Sequence, residues 1–118
     1  MNKIIIYGSN YGTTQQYAEE LSKRTSIKAV SYDLIKDISS FETIIFLGAM
    51  YAGGIKGLKD IIKLIPENST CKIIIITVGL ADVTDQENTN SIKKSLKTQI
   101  PIKIYDKAKI FHLRGAID

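Results

Sequence analysis

Three continuous apolar runs recur along the chain. They occupy residues 4–7, 43–49 and 72–78 and are rich in isoleucine. A run that is apolar at consecutive positions predicts a strand buried on both faces. Residues 27–32 alternate more between apolar and polar side chains, which predicts an edge strand with one face partly in water. Residues 110–113 predict a fifth strand.

Helical patterns separate these strands. From Ile55 onward, apolar side chains recur at helical spacing as far as Ile65, and Pro66 stops that helix. The other connecting segments predict a helix from Thr13 to about Arg24 and a short helical turn or loop from Asp33 to Phe41. A more polar helix is predicted from Thr84 to Thr98. Thr84 and Glu87 would form its capping box, and Pro101 would end it.

Strands and helices alternate over the whole length, and 118 residues suffice for one domain. Because the inner strands are apolar on both faces, helices must cover the sheet on both sides. The pattern predicts an α/β three-layer sandwich over residues 1–118. Its five-stranded parallel sheet is expected in the doubly wound order 2-1-3-4-5.

The turn between the first strand and the first helix carries the clearest chemistry. Its sequence is Ser9-Asn10-Tyr11-Gly12-Thr13-Thr14. N–H groups at a helix start favour an anion, and Gly12 lets backbone approach it. The turn lacks both the P-loop lysine and the glycine pattern of dinucleotide sites, so it predicts a seat for one phosphate held by neutral donors. The alternative is an ordinary cap, with Thr13 as N-cap and Gln16 as its capping-box partner.

Composition narrows the function classes. The formal net charge is +4 and the pI about 9.1, but the basic residues are spread and no nucleic-acid reader motif is present, so we expect no nucleic-acid partner. Cys71 is the single cysteine, which excludes an internal disulfide and a cysteine metal site. No apolar run is long enough to span a bilayer, and the first residues do not form a signal peptide. We therefore expect a cytoplasmic protein without a transmembrane segment.

The phosphate turn resembles the phosphate loop of flavodoxins, which has the approximate pattern Ser/Thr-x-Thr-Gly-x-Thr and holds the phosphate of FMN. Ser9, Gly12 and Thr14 match the hydroxyl, the glycine and the final threonine of that pattern. Tyr11 stands where many flavodoxins have threonine and removes one hydroxyl donor. The resemblance covers nearly the whole chain, although only this loop is specific. It implies the flavodoxin-like fold, FMN as cofactor, and phosphate contacts throughout the turn, Asn10 and Thr13 included.

The resemblance also implies two further loops that hold the isoalloxazine ring of FMN between them. They follow the third and fourth strands and meet the phosphate turn beyond the carboxyl ends of the strands. Tyr51 would stack on the ring, unless it is an ordinary surface tyrosine. Gly53 and Gly54 would let a peptide rotate toward flavin N5, unless they only form a turn. Asp82 meets the polar edge of the ring or, as we favour, caps the next helix. The implied contacts are Met50, Tyr51, Ala52, Gly53, Gly54, Gly79, Leu80 and Asp82.

No other side chain indicates a catalytic centre. His112, the sole histidine, has no readable Ser, Cys or carboxylate partner, so we interpret it as structural. Response-regulator receivers share the strand order but need an acidic pair after the first strand. This chain has Tyr7-Gly8-Ser9-Asn10 there, which excludes that class.

We therefore expect an FMN-binding, flavodoxin-type redox domain that transfers electrons through the flavin to a redox partner protein or a quinone. Residues 110–118 resemble the late strand of menaquinone-dependent protoporphyrinogen dehydrogenases. The first alternative is accordingly a flavin-dependent oxidoreductase acting on a quinone or porphyrin. The second is a flavodoxin-fold interaction module without flavin, which Tyr11 and the short chain favour.

Flavodoxins follow the fifth strand with a helix that packs beside the first helix, whereas this sequence stops at Asp118. We expect that final helix to be missing, so that one sheet face lacks part of its cover. An exposed apolar patch of several hundred Å² is unusual on a soluble monomer. This predicts either a homo-oligomer through the uncovered face or a C-terminally truncated piece of a longer protein.

Overall fold

A computed structural model describes residues 2–9, 12–51, 54–66, 68–79 and 86–114. The helices and strands within these ranges alternate along most of the chain. They are β1 (Lys3–Gly8), α1 (Thr13–Thr25), β2 (Ala29–Ser31), a 3₁₀ turn (Tyr32–Leu34), β3 (Thr43–Tyr51), β4 (Gly54–Ile55), α2 (Leu58–Ile62), β5 (Lys72–Gly79), α3 (Gln86–Gln99), α4 (Ile102–Lys107) and β6 (Lys109–Arg114). None of the helices in these ranges is long and apolar enough to cross a membrane.

The five long strands form a parallel sheet in the order β2-β1-β3-β5-β6. Ile6 of β1 lies opposite Phe46 of β3, which in turn lies opposite Ile75 of β5. The predicted α/β sandwich and its doubly wound order are thereby confirmed. The short strand β4 pairs antiparallel with the end of β3 and lies off this path. Strand β4 was not predicted from the sequence, because a strand of two residues is too short to show an alternating pattern.

Alternate side chains of the isoleucine-rich strands enter two separate cores, one on each face of the sheet. The larger core contains Phe46 and Ile75 and is covered by α2, α3 and α4, which contribute Ile61, Leu96 and Ile104. The smaller core lies under α1. Its buried members are Ile5, Ala18, Ile45 and Leu47. Burial on both sides explains why the inner strands are apolar at consecutive positions.

Two connections differ from the prediction. Helix α2 begins only at Leu58, because Ile55 lies in β4, and it ends at Ile62, although the apolar spacing continues to the buried Ile65. The backbone there tightens into turns, with the N–H of Ile65 donating to the carbonyl of Ile62 at 3.0 Å. Pro101 ends the preceding helix as predicted, but it also stands as the N-cap of α4, which was not predicted. Proline suits a helix start because it has no backbone N–H, and an N–H at that position would have no intrahelical acceptor.

The smaller core does not extend across the whole sheet. On the α1 face, Ile74 and Ile76 of β5 are half-buried, and Phe111 of β6, which lies opposite Ile76, is 55% exposed. Leu113 lies on the same face and is half-buried. We call these four residues the β5–β6 apolar face. Among the described helices, α1 alone packs on this side, against β1, β2 and β3. The described chain continues beyond Lys109 only as β6, so no described helix follows that strand.

Candidate functional site at the carboxyl edge of the sheet

The candidate site lies where the parallel strands end together. Strand β1 ends at Gly8, β3 at Tyr51 and β5 at Gly79, all at the same edge. Because β1 has β2 on one side and β3 on the other, the chain reverses its winding direction between β1 and β3. A ligand crevice is expected at such a switch point.

The phosphate turn closes on itself through Ser9. The N–H of Gly12 donates to the Ser9 hydroxyl oxygen at 3.0 Å, which leaves the Ser9 O–H as a donor toward a ligand. Gly12 has φ 91°, a left-handed conformation that favours glycine. Thr13 is half-buried and Thr14 is 2% exposed. Asn10 and Tyr11 lie outside the described residues, so their predicted contacts stay predictions.

The alternative interpretation of this turn as a side-chain cap is wrong. The N-cap of α1 is Gly12, not Thr13, and no side-chain hydrogen bond caps the helix there. The N–H of Gln16 donates to the Gly12 carbonyl at 2.9 Å as part of the helix ladder. The first turn contains no acidic residue that could complement the helix dipole. A helix start of this kind favours a nearby anion.

The space in front of Gly12 is open. Apart from its chain neighbours, no atom of the described chain would lie within 4 Å of a Cβ built on Gly12. A phosphate could therefore approach the backbone closely there. The donors around it are the Ser9 hydroxyl and the start of α1, both neutral, and together they suit one phosphate group.

The second predicted loop is a tight hairpin. Met50 pairs with Ile55, and Tyr51 pairs with Gly54. Tyr51 is 53% exposed, and its hydroxyl would lie 2.9 Å from a Cβ on Gly54, so the ring folds back over its own hairpin. The ring is accessible to a ligand from its outer side. Ala52 and Gly53 lie outside the described residues, and the predicted peptide rotation there stays untested.

The third predicted loop starts against the second. A Cβ on Gly79 would lie 3.2 Å from the Cβ of Met50, so the ends of β3 and β5 are in close contact. Leu80 and Asp82 lie outside the described residues. The same holds for Thr84, and the capping box predicted for α3 stays a prediction. The start of this loop and the hairpin therefore lie side by side at the carboxyl edge. Two loops that line the same crevice would have this arrangement.

Two contacts at this edge were missed. A Cβ on Gly8 would collide with the carbonyl oxygen of Lys56, so the segment after β4 packs directly on the end of β1. The hydroxyl of Tyr17 donates to the carbonyl of Arg114 at 2.9 Å and ties α1 to the end of β6. Both join residues far apart in sequence, and no local pattern marks them. Tyr17 itself is 36% exposed.

The two reactive side chains lie away from the phosphate turn. Nδ1 of His112 lies 2.5 Å from the hydroxyl of the fully buried Thr77, within the β5–β6 pairing, which agrees with a structural role. Cys71 is half-buried at the opposite, amino edge of the sheet, and burial raises the pKa of its thiol. The described residues contain no group of His, Cys, Asp and Glu that could hold a metal ion.

A parallel sheet wound in this order, with helices on both faces, defines the class of flavodoxin-like α/β domains. The model of the flavodoxin domain family matches residues 4–118, and the chain belongs to that family. A solved structure with a similar fold is oxidised Flavodoxin 2 from Bacillus cereus. It has 14% sequence identity and a TM-score of 0.55, over 98% of this chain and 86% of that chain. A comparison with curated proteins found no match.

The geometry of the turn yields a stability prediction. Gly12→Ala should lower the free energy of unfolding by about 1–2 kcal/mol, because alanine must adopt a left-handed conformation there. Gly57, with φ 81°, is the matched comparison, since a Cβ on it would also lie 2.6 Å from the Tyr32 ring. Gly57→Ala should therefore cost more, roughly 2–5 kcal/mol. Urea unfolding followed by circular dichroism measures both. Equal losses of unfolding free energy in the two variants would contradict the difference in open space between Gly12 and Gly57.

Proposed function

We propose that this domain binds FMN at the carboxyl edge and transfers electrons through the flavin to a redox partner. Family membership supports a flavodoxin-type redox role. The observation that carries the cofactor assignment is the start of α1: a left-handed Gly12 cap, no side-chain cap and no acidic residue in the first turn. Such a terminus favours an anion, and the open space at Gly12 would let a phosphate approach the backbone.

The chain's own residues would have distinct tasks. Ser9 and Thr14, with the N–H groups of the first turn, would hold the phosphate. Tyr51 would offer an exposed ring for stacking against the isoalloxazine, opposite the loop that begins at Gly79. FMN itself supplies the electron chemistry when bound, and the protein positions it and excludes water from one side.

A second candidate is a flavin-dependent oxidoreductase acting on a quinone or porphyrin. The net charge of +4 favours it over docking on the basic surfaces that acidic flavodoxins recognise. Steady-state turnover of the FMN-loaded protein with a soluble quinone separates the two candidates. Turnover supports the oxidoreductase, and reduction of a partner protein without quinone turnover supports the carrier.

The first prediction concerns the cofactor. Titration of the folded protein into FMN should quench flavin fluorescence, with half-saturation at or below roughly tens of micromolar, whereas FAD and NAD should bind more weakly because the turn offers one phosphate seat. Isothermal titration provides the second readout. A flat FMN titration of folded protein would sink the proposal and favour the interaction module without flavin.

The phosphate contacts are tested separately. A hydrogen bond to a charged group contributes about 1.5–3 kcal/mol, so Thr14→Ala should weaken FMN binding roughly ten- to a hundred-fold. Riboflavin, which lacks the phosphate, should bind both proteins alike. Thr25→Ala is the matched control, because Thr25 lies at the other end of α1 and donates to the Leu21 carbonyl. Equal losses for FMN and riboflavin would place the phosphate elsewhere.

We also infer that the β5–β6 apolar face mediates association between two copies of the domain. Self-association would bury Phe111, which is 55% exposed, together with Ile74 and Ile76. Phe111→Ser should shift the protein toward monomer in sedimentation velocity. The matched control is Leu34→Ser, since Leu34 is 73% exposed beside the opposite edge of the sheet. A wild-type monomer at high concentration would contradict the inference, whether or not it binds a hydrophobic dye.

A further inference from the structure

Lys56 occupies a specific position relative to the phosphate turn. Its N–H donates to the carbonyl of Ala49 at 2.9 Å, and its own carbonyl oxygen packs against Gly8. The stem of the side chain follows, since its Cγ would lie 3.2 Å from a Cβ on Gly8. Gly8 immediately precedes Ser9, where the turn begins. The lysine therefore crosses the end of β1 at the base of the proposed phosphate seat.

Tyr32 holds the other end of this side chain. It follows β2 directly and its ring packs on Gly57, so that a Cβ on Gly57 would lie 2.6 Å from the ring. The ammonium nitrogen of Lys56 lies 6.0 Å from the ring centroid, a cation–π arrangement. The ring thus keeps the charged group at the carboxyl edge, beside the ends of β1 and β2.

The ammonium of Lys56 forms no ion pair with a carboxylate of the described chain. The ion pair that forms among these residues joins Arg24 to Glu20 on the surface of α1. Lys56 is half-buried as a residue. Its positive charge attracts an anion by a Coulomb interaction that does not need direct contact. The turn itself contains no positively charged residue between Ser9 and Thr14.

We propose that Lys56 supplies the counter-charge for the FMN phosphate and thereby sets the preference of this site for FMN over riboflavin. This inference rests on the proposed function, because it concerns the same phosphate seat. The neutral donors of the turn fix the position of the phosphate. Lys56, which directly follows β4, attracts the phosphate through its charge at longer range and does not need a direct hydrogen bond to it. Tyr32 acts as the positioning residue for the ammonium.

The test compares Lys56→Gln with Lys59→Gln, which removes the same charge from an exposed position at the start of α2. FMN and riboflavin affinities are measured by fluorescence at low salt and near 1 M salt. Lys56→Gln should weaken FMN binding about tenfold at low salt and leave riboflavin unchanged. The difference should shrink to within about twofold at 1 M salt, where the screening length is roughly 3 Å. Lys59→Gln should change neither affinity by more than about twofold.

Further variants separate charge from packing. Lys56→Arg keeps the charge and should retain most of the FMN preference, whereas Tyr32→Leu should lose part of it while Lys56 remains. If wild-type protein binds FMN but Lys56→Gln leaves the ratio of FMN to riboflavin affinity unchanged, the proposal is overturned and the proposed function stands. A salt-independent loss, or an equal loss for both flavins, also overturns it, because it would show a packing role. If wild-type protein binds no FMN, the proposed function itself fails.

Discussion

All five long strands run in the same direction, and most other features of this domain follow from that constraint. Parallel strands cannot be joined by tight turns, so each connection must cross a face of the sheet. The inner strands are therefore buried on both sides, and their isoleucines enter two cores. The same constraint places all the strand-to-helix connections at one edge. Because the chain reverses its winding between β1 and β3, two of these connections part there and leave a crevice.

The crevice depends on close packing of backbone at the end of β1. Gly8 is a glycine because the carbonyl of Lys56 occupies the space of a side chain. Gly57, one residue further, adopts φ 81° and supports the ring of Tyr32. These contacts fix the segment between β4 and α2 against the start of the phosphate turn. A rigid base of this kind limits the entropy lost when a ligand is held.

Charge is distributed unevenly between the parts of the site. The turn from Ser9 to Thr14 is neutral, and α1 begins without an acidic residue. In the proposed function, its affinity for an anion would come from oriented N–H groups and hydroxyls. Lys56, whose ammonium lies 6.0 Å from the centroid of the Tyr32 ring, would add a full charge from another part of the chain. Such a site would separate the geometry of recognition from its strength, since dipoles define direction and a charge acts over a longer range.

The sequence by itself determined the fold class and the order of the parallel strands, and it predicted a phosphate turn between β1 and α1. Consecutive apolar positions in β3 and β5 require burial on both faces, and this requirement is local and readable. The cap of α1 was decided by the structure, because both Gly12 and Thr13 suit a helix start and only the backbone angle distinguishes them. The tertiary structure also decided three other features, which are strand β4, helix α4 and the contact between Gly8 and Lys56. Each depends on segments distant along the chain that meet only after the sheet has formed, so no local spacing of residues records them.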